Sequence, residues 1–170
     1  MAEDNTVYDS REGCNAVIET STNTLVLGCS TTIIPNTVTS IGGGAFWGHS
    51  NLTSINIPEG VTSIGNCAFV GCSSLTSITI PESVTNIGHQ AFYDCECLVS
   101  INIPESVTSI EGDAFRFCSS LTSITIPKSV TSIDYMAFDA CSSLTSVVSL
   151  PAVAPEMGMD VFEGIADDAT

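Results

Sequence analysis

A solenoid of short stacked strands, mostly β with short helical turns, is the fold class this sequence predicts. Three observations predict it. The chain repeats itself every 23 residues: "LTSINIPEGVTSIGNCAFVGCSS" from Leu52 returns as "LTSITIPESVTNIGHQAFYDCEC" from Leu75 and as "LVSINIPESVTSIEGDAFRFCSS" from Leu98. Within each unit apolar residues alternate over short spans, the period of a strand with one buried side. And no single unit is large enough to hide its own apolar side chains, so the units must stack, like residue on like residue.

The elements follow in order. Residues 1–32 form a tail and a cap. Two apolar runs, Ala16–Ile18 and Leu25–Leu27, flank the polar stretch Thr20–Asn23, which reads as a β-hairpin able to cover the first coil's open edge. With a turn near Ser21 and Thr22, Cys14 and Cys29 fall opposite each other; they are either a cross-strand disulfide or two reduced thiols. Residues 33–165 make about five to six coils. In each, "LTSITI" and "VTSI" give two extended pieces, Pro ends the first, and a Gly-rich step with Ala-Phe-x-x-Cys fits one helical turn. Phe46, Phe69, Phe92, Phe115 and Phe138 then form one column, and Val161-Phe162 offers a further copy. Residues 166–170 are a tail. This end reads as unfinished, as though the chain continues or stacks on a partner.

Composition narrows function. The 170 residues are 44 % hydrophobic and carry 19 acidic against three basic side chains, a formal net charge of -16. Nucleic-acid binding is not expected, because phosphates need clustered Lys and Arg. Membrane insertion is not expected either, since no stretch approaches the roughly 20 apolar residues of a spanning helix. "MAEDNTVYDS" has no basic start followed by an apolar run, so the chain is either cytosolic or a form from which an export signal has been removed.

Chemistry finds little purchase. His49 and His89 are the two histidines, nearly two coils apart, and no Ser/His/Asp site can be built around them; no catalytic residue is assigned. Cys72, Cys95, Cys118 and Cys141 form a column, each three residues after a Phe, with His49 in the corresponding place of the first unit. A metal site needs ligands that converge, and a column spreads them. Buried thiols acting as small hydrophobes are expected instead, with no metal and no cofactor. Glu59, Glu82 and Glu105 share a column expected to face water.

The recurring Leu52, Ile55 and Ile57 with their copies, the Pro that follows, the Val-x-x-Ile pair and the Ala-Phe pair resemble the 23-residue BspA-like leucine-rich repeat. The resemblance covers roughly residues 33–165 and implies a right-handed leucine-rich repeat superhelix. One place departs from it. Where the common pattern has Asn or Cys, this chain has Gly60, Ser83, Ser106 and Ser129, so the backbone bend must be satisfied differently. The resemblance also implies an exported, cell-surface or extracellular protein, no enzyme, and a protein ligand such as a host matrix protein.

The copies disagree most just after Ala-Phe, where the chain reads Trp47, Val70, Tyr93, Arg116 and Asp139, with Phe117 and Tyr135 nearby. Trp, Tyr and Arg are the residue types enriched at binding hot spots. Trp47, Tyr93, Arg116, Phe117 and Tyr135 are therefore the candidate binding residues of an adhesion or protein-binding module. The alternative is a structural spacer or self-stacking rod, either a monomer or a weak end-to-end dimer.

Overall fold

The computed structural model describes residues 6–167 and 169; residues 1–5, 168 and 170, parts of the two expected tails, lie outside the described residues. The chain is a β-solenoid. It opens with β1 (Tyr8–Asp9), a 3-10 turn at Arg11–Gly13, β2 (Val17–Glu19) and β3 (Thr24–Leu27), followed by β4 (Ser40–Ile41) and β5 (Ser63–Ile64). The next coils supply β6 (Ser77–Thr79), β7 (Asn86–Ile87), β8 (Ser100–Asn102), β9 (Ser109–Ile110), β10 (Ser123–Ile126), β11 (Ser132–Ile133), β12 (Ser146–Ser149) and β13 (Glu156–Met157).

Two strand columns run along the axis. The first holds the parallel pairs β6–β8 and β10–β12, extended toward the start by a bridge between Asn56 and Thr79. The second runs in parallel through β3, β4, β5 and β7 and resumes through β9, β11 and β13. Identical residues meet in register: Ile41 on Ile64 on Ile87, then Ile110 on Ile133. β3 takes the place of a coil before the first, because it pairs in parallel with β4 while pairing antiparallel with β2. The hairpin thus closes the solenoid's first edge and buries Ile18 and Leu25 beneath it.

The inward columns are each filled mainly by one residue type. Six phenylalanine rings, Phe46 through Phe162, stack with centroids 5.0–5.4 Å apart and planes within 7° of parallel. The departure from the common repeat is settled by the serines. Ser83, Ser106 and Ser129 each donate a hydroxyl hydrogen bond, 2.5–2.6 Å long, to the carbonyl of the preceding coil's Val61, Val84 and Val107. The bend is thus held by a bond between coils.

The expected helical turn at Ala-Phe-x-x-Cys is not a helix. Among the described residues the 3-10 turn at Arg11–Gly13 is the one helical element. Two left-handed residues flank each Ala-Phe-x: Gly44 and Gly48 in the first coil, Asp113 and Phe117 in the fourth, Met136 and Ala140 in the fifth. Backbone N–H groups here alternate in purpose. Those of Gly44, Phe46 and Gly48 reach carbonyls of the next coil, while those of Ala45, Trp47 and His49 close three-residue-back turns within their own coil. A helix would keep every bond local; this linked series of β-turns spends half of them on stacking.

The second strand column is interrupted between β7 and β9. Gly42, Gly65 and Gly88 share one position, and a Cβ on Gly65 or Gly88 would lie 2.7 Å from a backbone nitrogen of the coil before. The fourth coil places Glu111 there, and among the described residues no backbone hydrogen bond joins it to Ile87 as Gly88 is joined to Ile64. A side chain at this position does not by itself break the ladder: Asp134 holds it in the fifth coil and its N–H bonds the Ile110 carbonyl at 2.8 Å.

Truncating one ring of the stack, Phe92→Ala, should lower the unfolding free energy by about 4 kcal/mol, measured by urea denaturation. At Ala140, whose φ is +57°, glycine removes a penalty of roughly 1–2 kcal/mol at an entropic cost of about 0.5–1 kcal/mol. Ala140→Gly should therefore shift the urea midpoint upward, and an unchanged or lowered midpoint would refute the strain.

Candidate functional site

The linked turns form an edge of the solenoid whose side chains differ from coil to coil. Trp47 stands 63 % exposed at its beginning, its ring beside Gly44. It is separated from Tyr93 by the intervening coil's Val70.

Tyr93, Arg116 and Phe117 are brought into one cluster. The Tyr93 and Phe117 rings meet edge to face at 5.4 Å, and the Arg116 guanidinium lies 4.8 Å from the Phe117 ring centre. Arg116 donates to Asp139 at 2.7 Å and to Asp113 at 3.3 Å. Asp113 and Asp139 are 5 % and 8 % exposed, the buried charged residues of the described chain. Burial by itself would lower the pKa of Arg116; the hydrogen bond and charge of Asp139 outweigh it, and the net shift is upward. Arg116 is thus a clamp between two coils that presents its flank to an aromatic ring.

Tyr135 joins this cluster through Asp113. Its ring occupies the space above Gly112, where a Cβ would come within 2.7 Å of it, and it faces His89 across 5.9 Å. The His89 Nδ1 lies 2.6 Å from the Gly112 carbonyl, which makes Nδ1 the protonated nitrogen and turns Nε2 toward Asp113 at 4.0 Å. Sequence reasoning missed Asp113. The available signal was the placement of an Asp three residues before the one Arg of the repeat, in a position where the backbone is left-handed and Asp is tolerated.

The cysteine column is a hydrogen-bonded ladder. Cys72, Cys95, Cys118 and Cys141 each direct a thiol at the carbonyl of the preceding coil's Phe46, Phe69, Phe92 and Phe115, 3.2–3.3 Å away. Burial pushes Cys72 and Cys141 up to about 12, and Cys95 and Cys118 well above the ordinary thiol value. Cys14 and Cys29 are both free thiols and do not pair. A bulge between Val17 and Ile18 slips the hairpin register, so Cys14 turns into the core while Cys29 contacts the carbonyl of Asn15, not Cys14. Hydrogen bonds from Thr31 lower the pKa of Cys29.

The fold and the repeat together define a bacterial-type leucine-rich repeat module. The chain belongs to the BspA type leucine rich repeat region family, whose model matches six copies over residues 26–164. No curated protein matches the chain by sequence. Among solved structures it is similar to a T. pallidum leucine rich repeat protein, with 25 % identity and a TM-score of 0.64 over 96 % of this chain and 88 % of that one. A leucine-rich repeat protein from Eubacterium ventriosum superposes with a TM-score of 0.74 at 25 % identity, covering 99 % of this chain and 52 % of its own. A leucine rich cell surface protein from Faecalibacterium prausnitzii gives 0.63 at 28 %, covering 99 % and 56 %. The chain therefore spans about half the length of the last two. Among the described residues no helix is long and apolar enough to cross a membrane.

The thiol ladder carries a pH dependence. Because the folded-state values of Cys72 and Cys141 lie above the ordinary 9.0, the unfolded chain releases these protons first. Stability from the ladder is complete below about pH 9 and declines as pH rises from there toward about 12. Urea midpoints of the parent should fall across this window more steeply than those of a variant with all four column cysteines changed to alanine. Equal slopes would contradict the assignment.

Proposed function

We propose that the chain is a non-enzymatic protein-binding module of a bacterial cell-surface or secreted protein, and that its contact surface is the turn edge carrying Trp47, Tyr93, Arg116, Phe117 and Tyr135. The observation that carries this reading is the Tyr93–Phe117–Arg116 cluster. Its aromatic groups are fixed by packing and by an inter-coil ion pair while remaining partly open to solvent. Rigid, partly exposed aromatic and Arg side chains bind with little ordering cost. The outward faces of β6 and β8 offer only small hydroxyl and amide groups, such as Ser77 and Thr79. A host matrix protein is the ligand class we favour, and the family's surface-located relative supports that setting.

A second reading, a stacking rod, draws on the far end of the solenoid. Val153, Met157 and Met159 are exposed there, and Ile126, Val147 and Phe162 line an apolar recess. Light scattering across concentration separates the two: a strict monomer weakens the rod.

Binding to a panel of purified extracellular matrix proteins, read by biolayer interferometry, tests the first reading. Arg116 must be left intact, because removing it strands two buried carboxylates at a cost of about 3 kcal/mol. The variant Trp47→Ala, Tyr93→Ala, Phe117→Gly should keep its melting temperature and lose binding. A panel silent toward the parent chain, or undiminished binding by the variant, would reject the proposal.

A further inference from the structure

Successive coils are joined in the second strand column by one recurring pattern. The Thr62 N–H reaches the Thr39 carbonyl and the Gly65 N–H that of Ile41. Thr85 and Gly88 repeat this on Thr62 and Ile64, Thr131 and Asp134 on Thr108 and Ile110, and Glu156 and Gly158 on Thr131 and Ile133, all at 2.7–2.9 Å. The hydroxyls of Thr62, Thr85 and Thr131 add a second bond to the same carbonyl.

The seam between β7 and β9 has none of it. Among the described residues no bond joins the Thr108 N–H or hydroxyl to the Thr85 carbonyl, none joins the Glu111 N–H to Ile87, and Asn86 and Ser109 are not paired. Ser40 and Ser63 share a hydroxyl bond of 2.8 Å one seam after the cap, whereas the Ser109 hydroxyl turns to Glu111 of its own coil. Ile87 and Ile110 stay buried behind the gap, so apolar packing holds this corner.

The same two coils are fully joined elsewhere. β6 and β8 pair over three residues, and the N–H groups of Gln90, Phe92 and Asp94 reach the carbonyls of Gly112, Ala114 and Arg116. The first strand column and the turn edge are thus tied while the second strand column is not. Hydrogen bonds fix orientation because they are directional; apolar contact is not directional and tolerates tilting. In a stack held by neighbour interfaces, the interface that lacks its bonds is where the stack gives.

We propose that the seam between the third and fourth coils is a hinge. It opens at the β7–β9 corner, pivots on the first strand column and the turn edge, and lets the capped half of the solenoid bend against the other half. Tyr93 belongs to the third coil and Arg116 and Phe117 to the fourth, so the turn-edge cluster sits on the pivot and stays together as the corner opens. The hinge goes beyond the binding reading and does not depend on it.

Amide hydrogen exchange and residual dipolar couplings of the full chain test it. The Thr108 and Glu111 amides should exchange about a hundredfold faster than those of Thr85, Gly88, Thr131 and Asp134. Couplings from residues 38–92 and from residues 107–161, collected in one aligned sample, should require two alignment tensors of different magnitude. A disulfide placed across the corner by Asn86→Cys with Ser109→Cys should merge them into one. Equal protection along the column, or a single tensor fitting both halves of the parent chain, would overturn the hinge; two tensors persisting in the cross-linked chain would overturn its assignment to this seam. None of these outcomes bears on the matrix panel, so the hinge and the module reading stand or fall separately.

Discussion

Stacking of like on like along one axis is the constraint from which the rest of this structure follows. A 23-residue coil has too little interior to enclose its own apolar side chains, so each Phe, Leu, Ile and Val is buried by its copies above and below. The same requirement explains the polar bonds. Ser83 donates to Val61, Cys95 to Phe69, and the N–H of Phe69 to Ala91, each to the coil next door. Packing and hydrogen bonding thus point in one direction, which gives a solenoid its nearest-neighbour character.

This arrangement divides the residues by freedom. Inward columns are fixed by packing density, where a methylene gained or lost is felt at once. The two left-handed columns are fixed by backbone geometry, although Phe117, Met136 and Ala140 occupy them against steric preference. What is left is the turn edge and the outward strand positions. There the later coils accumulate most of the aromatic rings, the Arg clamp and most of the carboxylates, while the first coil contributes Trp47. The chain's individuality is concentrated in its second half.

Much of the fold was legible because repetition multiplies a weak signal. One alternating "LTSITI" is ambiguous, but five in register with five Ala-Phe pairs leave a solenoid as the only economical arrangement, and Phe162 could be assigned to the column from sequence. The turn was misread because Ala-Phe-x-x-Cys has helical composition, and no local rule announces that alternate N–H groups leave for the next coil. The hairpin slip was invisible because a single-residue bulge has no clear signature in "CNAVIETSTNTLVLGC", and it is what separates Cys14 from Cys29. Of the candidate site, the residue types were legible and their grouping was only half so. Tyr93, Arg116 and Phe117 meet, Tyr135 reaches them through Asp113 and His89, and Trp47 stands apart, since contact across coils depends on side-chain direction as well as column.

Removing one whole coil tests the stacking claim most directly. Deleting residues 75–97 joins Ser74 to Leu98 in register and makes Phe69 the neighbour of Phe115. The account predicts a folded protein with one coil fewer, retaining its β-type circular dichroism and showing direct NMR contacts between the Phe69 and Phe115 rings. An unfolded chain, or a folded one in which those rings do not touch, would contradict it.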